Sequence, residues 1–263
     1  MRPDAVVFDL DGTLADTATD IQHALNSVLA EAGLPPVEVD SVRLMIGKGP
    51  EVLVRRALRH LHISGYEDRV ASMTDAFREQ YSVRGNASSK LTPGAIECLE
   101  QLAQQDIAIG LCSNKPHANC AQLLDDLGVL RHFAAIQGSG TGLALKPDPE
   151  PLLATVSQLG AADALYVGDS EVDAETAQRA VVPFALYSEG YRKAAVSAIH
   201  HNWAFDHFEA LPGIVAEVME LIGGDDPKKV SFYTNYPWQV KLGTDSSFYG
   251  VLQAPFGEIY AFS

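Results

Sequence analysis

The chain has 263 residues, a formal net charge of -15 and 47% hydrophobic residues, enough for one large domain, or a domain with an insert, around a sizeable core. So acidic a chain excludes nucleic acid and anionic membranes as partners, because both are bound through Lys/Arg patches. No apolar run approaches the roughly 20 residues of a membrane span, so a cytoplasmic protein is expected, and of its three cysteines, none expected to be catalytic, Cys112 inside the apolar run 107–112 is expected as a reduced core thiol.

The first predicted element is the strand of the segment Val6-Val7-Phe8-Asp9-Leu10-Asp11-Gly12-Thr13-Leu14. In an extended chain side chains alternate, so Asp9 and Asp11 share a face while Leu10 turns to the core. Two carboxylates that close call for a bound divalent cation or for one acid kept protonated. A calcium-binding EF-hand loop is excluded: its sixth and twelfth positions, Gly and Glu, would fall on Leu14 and Asp20.

Next, Ile21, Leu25, Val28 and Leu29 recur at helical spacing, and Gly33 followed by Pro35 ends that helix. Two further helices flank the loop Gly47-Lys48-Gly49, and Val70, Met73, Phe77 and Tyr81 mark a fourth before the polar linker 84–90. Residues 15–88 are therefore expected as a helical insert. From residue 91 onward short apolar runs at 107–112, 133–136, 165–167 and 184–187 alternate with helical stretches. That alternation predicts an α/β fold with a doubly wound parallel sheet, whose ligands sit beyond the carboxyl ends of the strands. Just after the strands stand Asp9 and Asp11, then Ser113-Asn114-Lys115, then Lys146-Pro147, then Gly168-Asp169-Ser170 with Asp173. Gly138-Ser139-Gly140-Thr141-Gly142 is not a dinucleotide loop, since Leu143 occupies the slot of its third glycine and Lys146-Pro147 stops the helix it needs.

In this order the residues resemble the haloacid dehalogenase superfamily, whose motifs are DxDGT, a Ser/Thr after a strand, a Lys, and GD followed by acids. The resemblance covers about residues 5–222 and implies a Rossmann-like core, residues 1–14 and 89–222, carrying the helical insert as a cap. It implies Mg²⁺ as cofactor, with Asp9 and Asp169 as side-chain ligands, the backbone carbonyl of Asp11 as another, and Asp173 in support directly or through water. Asp9 would attack phosphorus, Asp11 would act as general acid and then base, and Ser113 and Lys146 would hold phosphoryl oxygens. Gly12, Thr13, Asn114 and Lys48 are further expected at the substrate, Lys48 from the cap loop.

Asp11 argues for phosphoryl transfer, because dehalogenases of the superfamily need the nucleophile alone. The stretches around Asp11-Gly12-Thr13-Leu14-Ala15-Asp16-Thr17, Ile46-Gly47-Lys48-Gly49, Ser113-Asn114-Lys115-Pro116, Lys146-Pro147-Asp148-Pro149-Glu150-Pro151 and Gly168-Asp169-Ser170-Glu171-Val172-Asp173 look like those of bacterial phosphoglycolate phosphatases. The implied substrate is a small anionic phosphate ester, 2-phosphoglycolate. Other phosphotransfer on small metabolites stays open: a sugar phosphatase, a pyrophosphatase or a β-phosphoglucomutase-like mutase. So does a scaffold that binds phospho-ligands without turnover, and neither monomer nor homodimer is singled out. Val181 departs from that pattern, which has Gly there. Residues 223–263 lie beyond it; this tail carries nine aromatic residues and is expected as a β-type extension turning at Gly243-Thr244-Asp245-Ser246.

Overall fold

A computed structural model describes residues 3–222 and the strand segments 240–242, 250–253 and 259–262. In chain order its elements are β1 (Ala5–Phe8), β2 (Ala15–Asp16), α1 (Ala18–Glu31), α2 (Val39–Arg43), α3 (Pro50–His60), α4 (Glu67–Arg84), β3 (Lys90–Leu91), α5 (Ala95–Gln104), β4 (Ala108–Pro116), α6 (His117–Asp126), β5 (Ala135–Ser139), α7 (Glu150–Gln158), β6 (Ala164–Gly168), α8 (Glu171–Ala180), β7 (Phe184–Tyr187), β8 (Trp203–Phe205), α9 (Leu211–Ile222), β9 (Val240–Leu242), β10 (Gly250–Gln253) and β11 (Ile259–Phe262).

Six strands form one sheet in the order β5-β4-β1-β6-β7-β8, every neighbouring pair parallel. Parallel strands need crossovers, and helices supply them, so both faces of the sheet are covered and its central strand β1 is continuously apolar. β1 is buried throughout, with Val6 beside Ile109 of β4 and Leu165 of β6. The chain leaves β1 for β4 on one side and later returns to β6 on the other, which makes the end of β1 the switch point where ligands bind in open sheets.

The expected strands are present with shifted ends: β5 begins two residues later than expected, and β4 runs on to Pro116 through an irregularity. Cys112 pairs with Gln137 and Pro116 with Ser139, so Ser113, Asn114 and Lys115 together oppose Gly138 alone. This bulge pushes the three polar residues out of the ladder at the strand's carboxyl end. It needs Gly138, where a Cβ would meet the backbone of His117 and Lys115 at 2.5 to 2.8 Å. The edge strand β8 was not foreseen, being too short to show any periodicity.

The four apolar stripes of the insert pack into one core, Ile21, Leu25 and Leu29 against Leu53, Leu58, Val70, Met73 and Phe77. The two chain crossings between cap and sheet pair with each other, β2 with β3 in antiparallel register. Buried Asp20 pins the second crossing, accepting from the amide of Ser88 and the hydroxyl of Ser89. Cap and sheet belong to one compact unit, Arg2–Val218, and the remaining residues from Met219 form a second. In that second unit β9, β10 and β11 form an antiparallel three-stranded sheet; the expected turn at 243–246 lies outside the described residues. No helix among the described residues is long and apolar enough to cross a membrane.

Val181 ends α8 in the left-handed region, φ 56° and ψ 40°. A β-branched residue is costly there, by about 1 kcal/mol or more, where glycine is at ease. Val181→Gly is therefore expected to stabilise the unit by about 1 kcal/mol and raise its melting temperature by roughly 2 to 4 °C, as calorimetry would show.

Candidate active site

The carboxyl ends of β1 and β4 meet at a cleft open to solvent and roofed by the cap. Asp9, Asp11, Ser113, Asn114, Lys115 and Lys146 all line it. Asp9 leaves β1 with its amide bonded to Val167 of β6, and Leu10 beside it is fully buried, the alternation expected from the strand.

Lys146 is the centre of the charge network. Its ammonium donates to Asp173 Oδ1 at 2.7 Å, Tyr166 Oη at 2.8 Å and the Cys112 carbonyl at 3.0 Å. Asp9 Oδ1 stands 2.9 Å away as an ion-pair partner, yet this buried oxygen has no hydrogen bond. Lys146 was expected on phosphoryl oxygens; its three donors are instead spent on protein groups, and it offers the site its charge. Asp173 is as fully engaged, with Oδ1 on Lys146 and Tyr166 and Oδ2 on the amide and hydroxyl of Ser170. It also completes a reciprocal cap at the start of α8, so one residue starts the helix and aims the lysine.

Asp169 accepts from the Thr13 hydroxyl at 2.7 Å and from the Tyr191 amide at 2.5 Å. Gly12, at φ +89°, allows this approach, since a Cβ there would stand 2.7 Å from Asp169 Oδ2 and 2.8 Å from the Tyr191 ring. The amides of Gly12 and Thr13 close the turn on Ala15 and Leu10, so these two residues, expected at the substrate, shape the turn and hold Asp169.

Asn114, also expected at the substrate, spends its side chain on backbone: it donates to the carbonyls of Gly47 and Lys146 and accepts from the Lys146 amide. It ties the cap loop to the lysine's loop. Ser113 is buried on the cleft wall, its oxygen 3.4 Å from the Lys115 amide. Lys48 does not take the place expected of it. It is exposed and lines a neighbouring surface cavity with Leu143 and Leu145.

A lysine that does line the cleft is Lys115, buried, 2.9 Å from Asp11 Oδ1 and 4.5 Å from the centre of the Tyr81 ring. Asp11 also accepts from Thr17 Oγ1 at 2.7 Å. Lys115 stood in the same strand-end motif as Ser113, a signal that was available. Tyr191 gave none: its hydroxyl, at the hinge, donates to Asp16 and accepts from the amides of Thr17 and Ala18. Tyr166 was hidden within an apolar strand.

Oxygens of Asp9, Asp169 and Asp173 lie within 4.8 Å of one another. Burial, reinforced by the charge of Asp173 and opposed by Lys146, raises the Asp9 carboxyl to about 6. Burial with Asp173 and Asp9 beside it raises Asp169 well above its ordinary value. Burial pushes on Asp173 too, but Lys146 and the bonds from Ser170 and Tyr166 outweigh it and hold that group low. Three carboxylates are thus clustered, and the one ammonium beside them pairs with Asp9 and Asp173 alone. An oxygen-only donor set of this charge suits Mg²⁺.

Residues 6–187 match the family model of haloacid dehalogenase-like hydrolases. A phosphoglycolate phosphatase of Cereibacter sphaeroides strain ATCC 17025 is 41% identical over 214 residues, 81% of this chain and 98% of the relative. One of Rhodobacter capsulatus is 37% identical over 80% of this chain and 96% of the relative. The crystal structure of a predicted phosphoglycolate phosphatase from Haemophilus somnus 129pt superposes with a TM-score of 0.75 at 27% identity, covering 81% of this chain and 98% of that one.

Asp9 binds its proton more tightly folded than unfolded, so its contribution to stability is present at low pH and lost as pH rises towards 6. In chelator, Asp9→Asn is therefore expected to melt above wild type at about pH 7.5, with a gain that shrinks towards about pH 4.5. Melting curves at the two pH values check it.

Proposed function

The chain belongs to the haloacid dehalogenase-like hydrolases, and we propose that within this family it is a Mg²⁺-dependent phosphatase that hydrolyses 2-phosphoglycolate to glycolate and phosphate. The observation that carries this proposal is the buried, unbonded oxygen of Asp9, beside Lys146, on the wall of a cleft that also holds Asp11. The names of the relatives support the choice of substrate.

Asp9 Oδ1 is buried beside the Lys146 ammonium, and as a carboxylate oxygen it keeps lone pairs that can attack phosphorus. The ester P–O bond breaks as the Asp9–phosphorus bond forms, leaving an aspartyl-phosphate. Asp11 gives its proton to the departing alkoxide. It then takes one from the water that hydrolyses the intermediate. Asp9 and Asp169, with the Asp11 carbonyl and support from Asp173, would hold Mg²⁺, which would supply positive charge to screen the phosphoryl oxygens from these carboxylates. Ser113 offers a hydroxyl donor on the wall, and the ammonium of Lys146 favours the charged form of Asp9. A cytoplasmic setting is supported by three buried free thiols, which burial pushes up to about 12 at Cys98 and Cys112.

Asp9→Asn is expected to abolish phosphate release from 2-phosphoglycolate, a neutral amide being no nucleophile, while circular dichroism shows the fold intact. Excess chelator is expected to stop the wild-type reaction and added Mg²⁺ to restore it. Release of phosphate by the Asn variant above a few per cent of wild type would overturn the nucleophile assignment.

A further inference from the structure

A cleft that hydrolyses phosphate esters must recognise what the phosphate is attached to, and the catalytic groups leave that task open. Asp11 is the group that meets the leaving oxygen in the proposed reaction, so whatever surrounds Asp11 surrounds the rest of the substrate. Three cations line the cleft among the described residues: Lys146, Arg78 and Lys115. Lys146 is committed to Asp9 and Asp173. Arg78 is half exposed and paired with Asp75 in its own helix. Lys115 is buried, touches Asp11, and lies under the cap ring of Tyr81.

From this juxtaposition we infer that Lys115 is a specificity-determining residue: its ammonium receives the carboxylate of a substrate whose acid group is one methylene from the ester oxygen. The inference rests on the phosphatase activity proposed above and names what that site selects. Lys115 stands 2.9 Å from Asp11 Oδ1, so an anion two bonds from the oxygen that Asp11 protonates falls beside it. A carboxylate one carbon further away overshoots.

The apolar part of the cap's wall agrees with a small acid. Ile21, Ile46, Leu53 and Phe77 of the cap face the cleft and offer no partner to the hydroxyls of a sugar. A hydroxyl buried against them without a partner is disfavoured, whereas an ammonium in apolar surroundings attracts a carboxylate more strongly than one in water does. The bulge in β4 is what places Lys115 there, since a regular strand would pair this residue into the ladder. Tyr81 caps it from α4, so the lysine is ordered before any ligand arrives.

The test is a matrix of specificity constants. Wild type, Lys115→Met, Lys115→Gln and Arg78→Ala are each assayed on 2-phosphoglycolate, 3-phosphopropionate and ethyl phosphate, with melting curves for each. Wild type is expected to prefer 2-phosphoglycolate over both others. In the Lys115 variants the ratio of 2-phosphoglycolate to ethyl phosphate is expected to fall about ten- to hundredfold, the worth of a charge-assisted contact, beyond any loss the two substrates share. Equal losses on both substrates would mean that Lys115 acts only through Asp11, and would overturn the inference while leaving the phosphatase proposal standing. A collapse of the ratio in Arg78→Ala alone would overturn it likewise. If neither Lys115 variant folds, wild type decides: equal rates on 2-phosphoglycolate and 3-phosphopropionate overturn the inference. A wild type that favours neither acid over ethyl phosphate would overturn the choice of 2-phosphoglycolate itself.

Discussion

The burial of Lys146 among Asp9, Asp173 and Tyr166 is the interaction on which the rest of this structure depends. An isolated charge in such an interior is strongly disfavoured, and it persists only when its partners are placed well enough to replace water. Here each partner is supplied by a different piece of chain: Asp9 by the end of β1, Cys112 by β4, Tyr166 by β6 and Asp173 by the first turn of α8. Satisfying one ammonium therefore fixes the relative positions of three strands and a helix. The same arithmetic leaves carboxylates in excess of ammonium, with Asp9 and Asp169 both pushed towards their neutral forms. A cation relieves that imbalance, and a cation beside a nucleophile is what a phosphate dianion requires.

Topology explains why the cluster forms where it does. β1 lies at the centre of the sheet with β4 and β6 on its two sides, so their carboxyl ends open one crevice, and residues just past each strand converge there. Two local devices adapt the crevice. The bulge of β4 opposite Gly138 brings Ser113, Asn114 and Lys115 out of the ladder, and the tight turn at Gly12 lets Asp169 and the ring of Tyr191 pack against the first loop.

The cap is fastened to this crevice at several places, each a polar contact between elements distant in sequence. Asn114 holds the carbonyl of Gly47, Tyr81 covers Lys115, and the hydroxyl of Tyr191 receives the first amides at the start of α1 while its own amide holds Asp169. The cap's apolar side chains and the sheet's charged ones thus face one another across the cleft. Lys115 stands between the two sides, 2.9 Å from Asp11 and under the ring of Tyr81.

What the sequence alone determined was local in its physics. Strand and helix periods follow from which faces must leave water, and they placed the cap helices, the buried strands and the convergence of Asp9, Ser113, Lys146 and Asp169 at one edge of the sheet. Side-chain chemistry was legible too, because paired carboxylates imply a cation wherever they stand. What only the tertiary structure decided was which group spends its bonds on which. Lys146 proved to face Asp173 and Tyr166, Asn114 to clamp two loops, Lys48 to point out of the cleft and Lys115 into it. Such pairings depend on a bulge, a glycine turn and contacts between residues as far apart as Thr13 and Asp169, and no period of 2 or 3.6 encodes them.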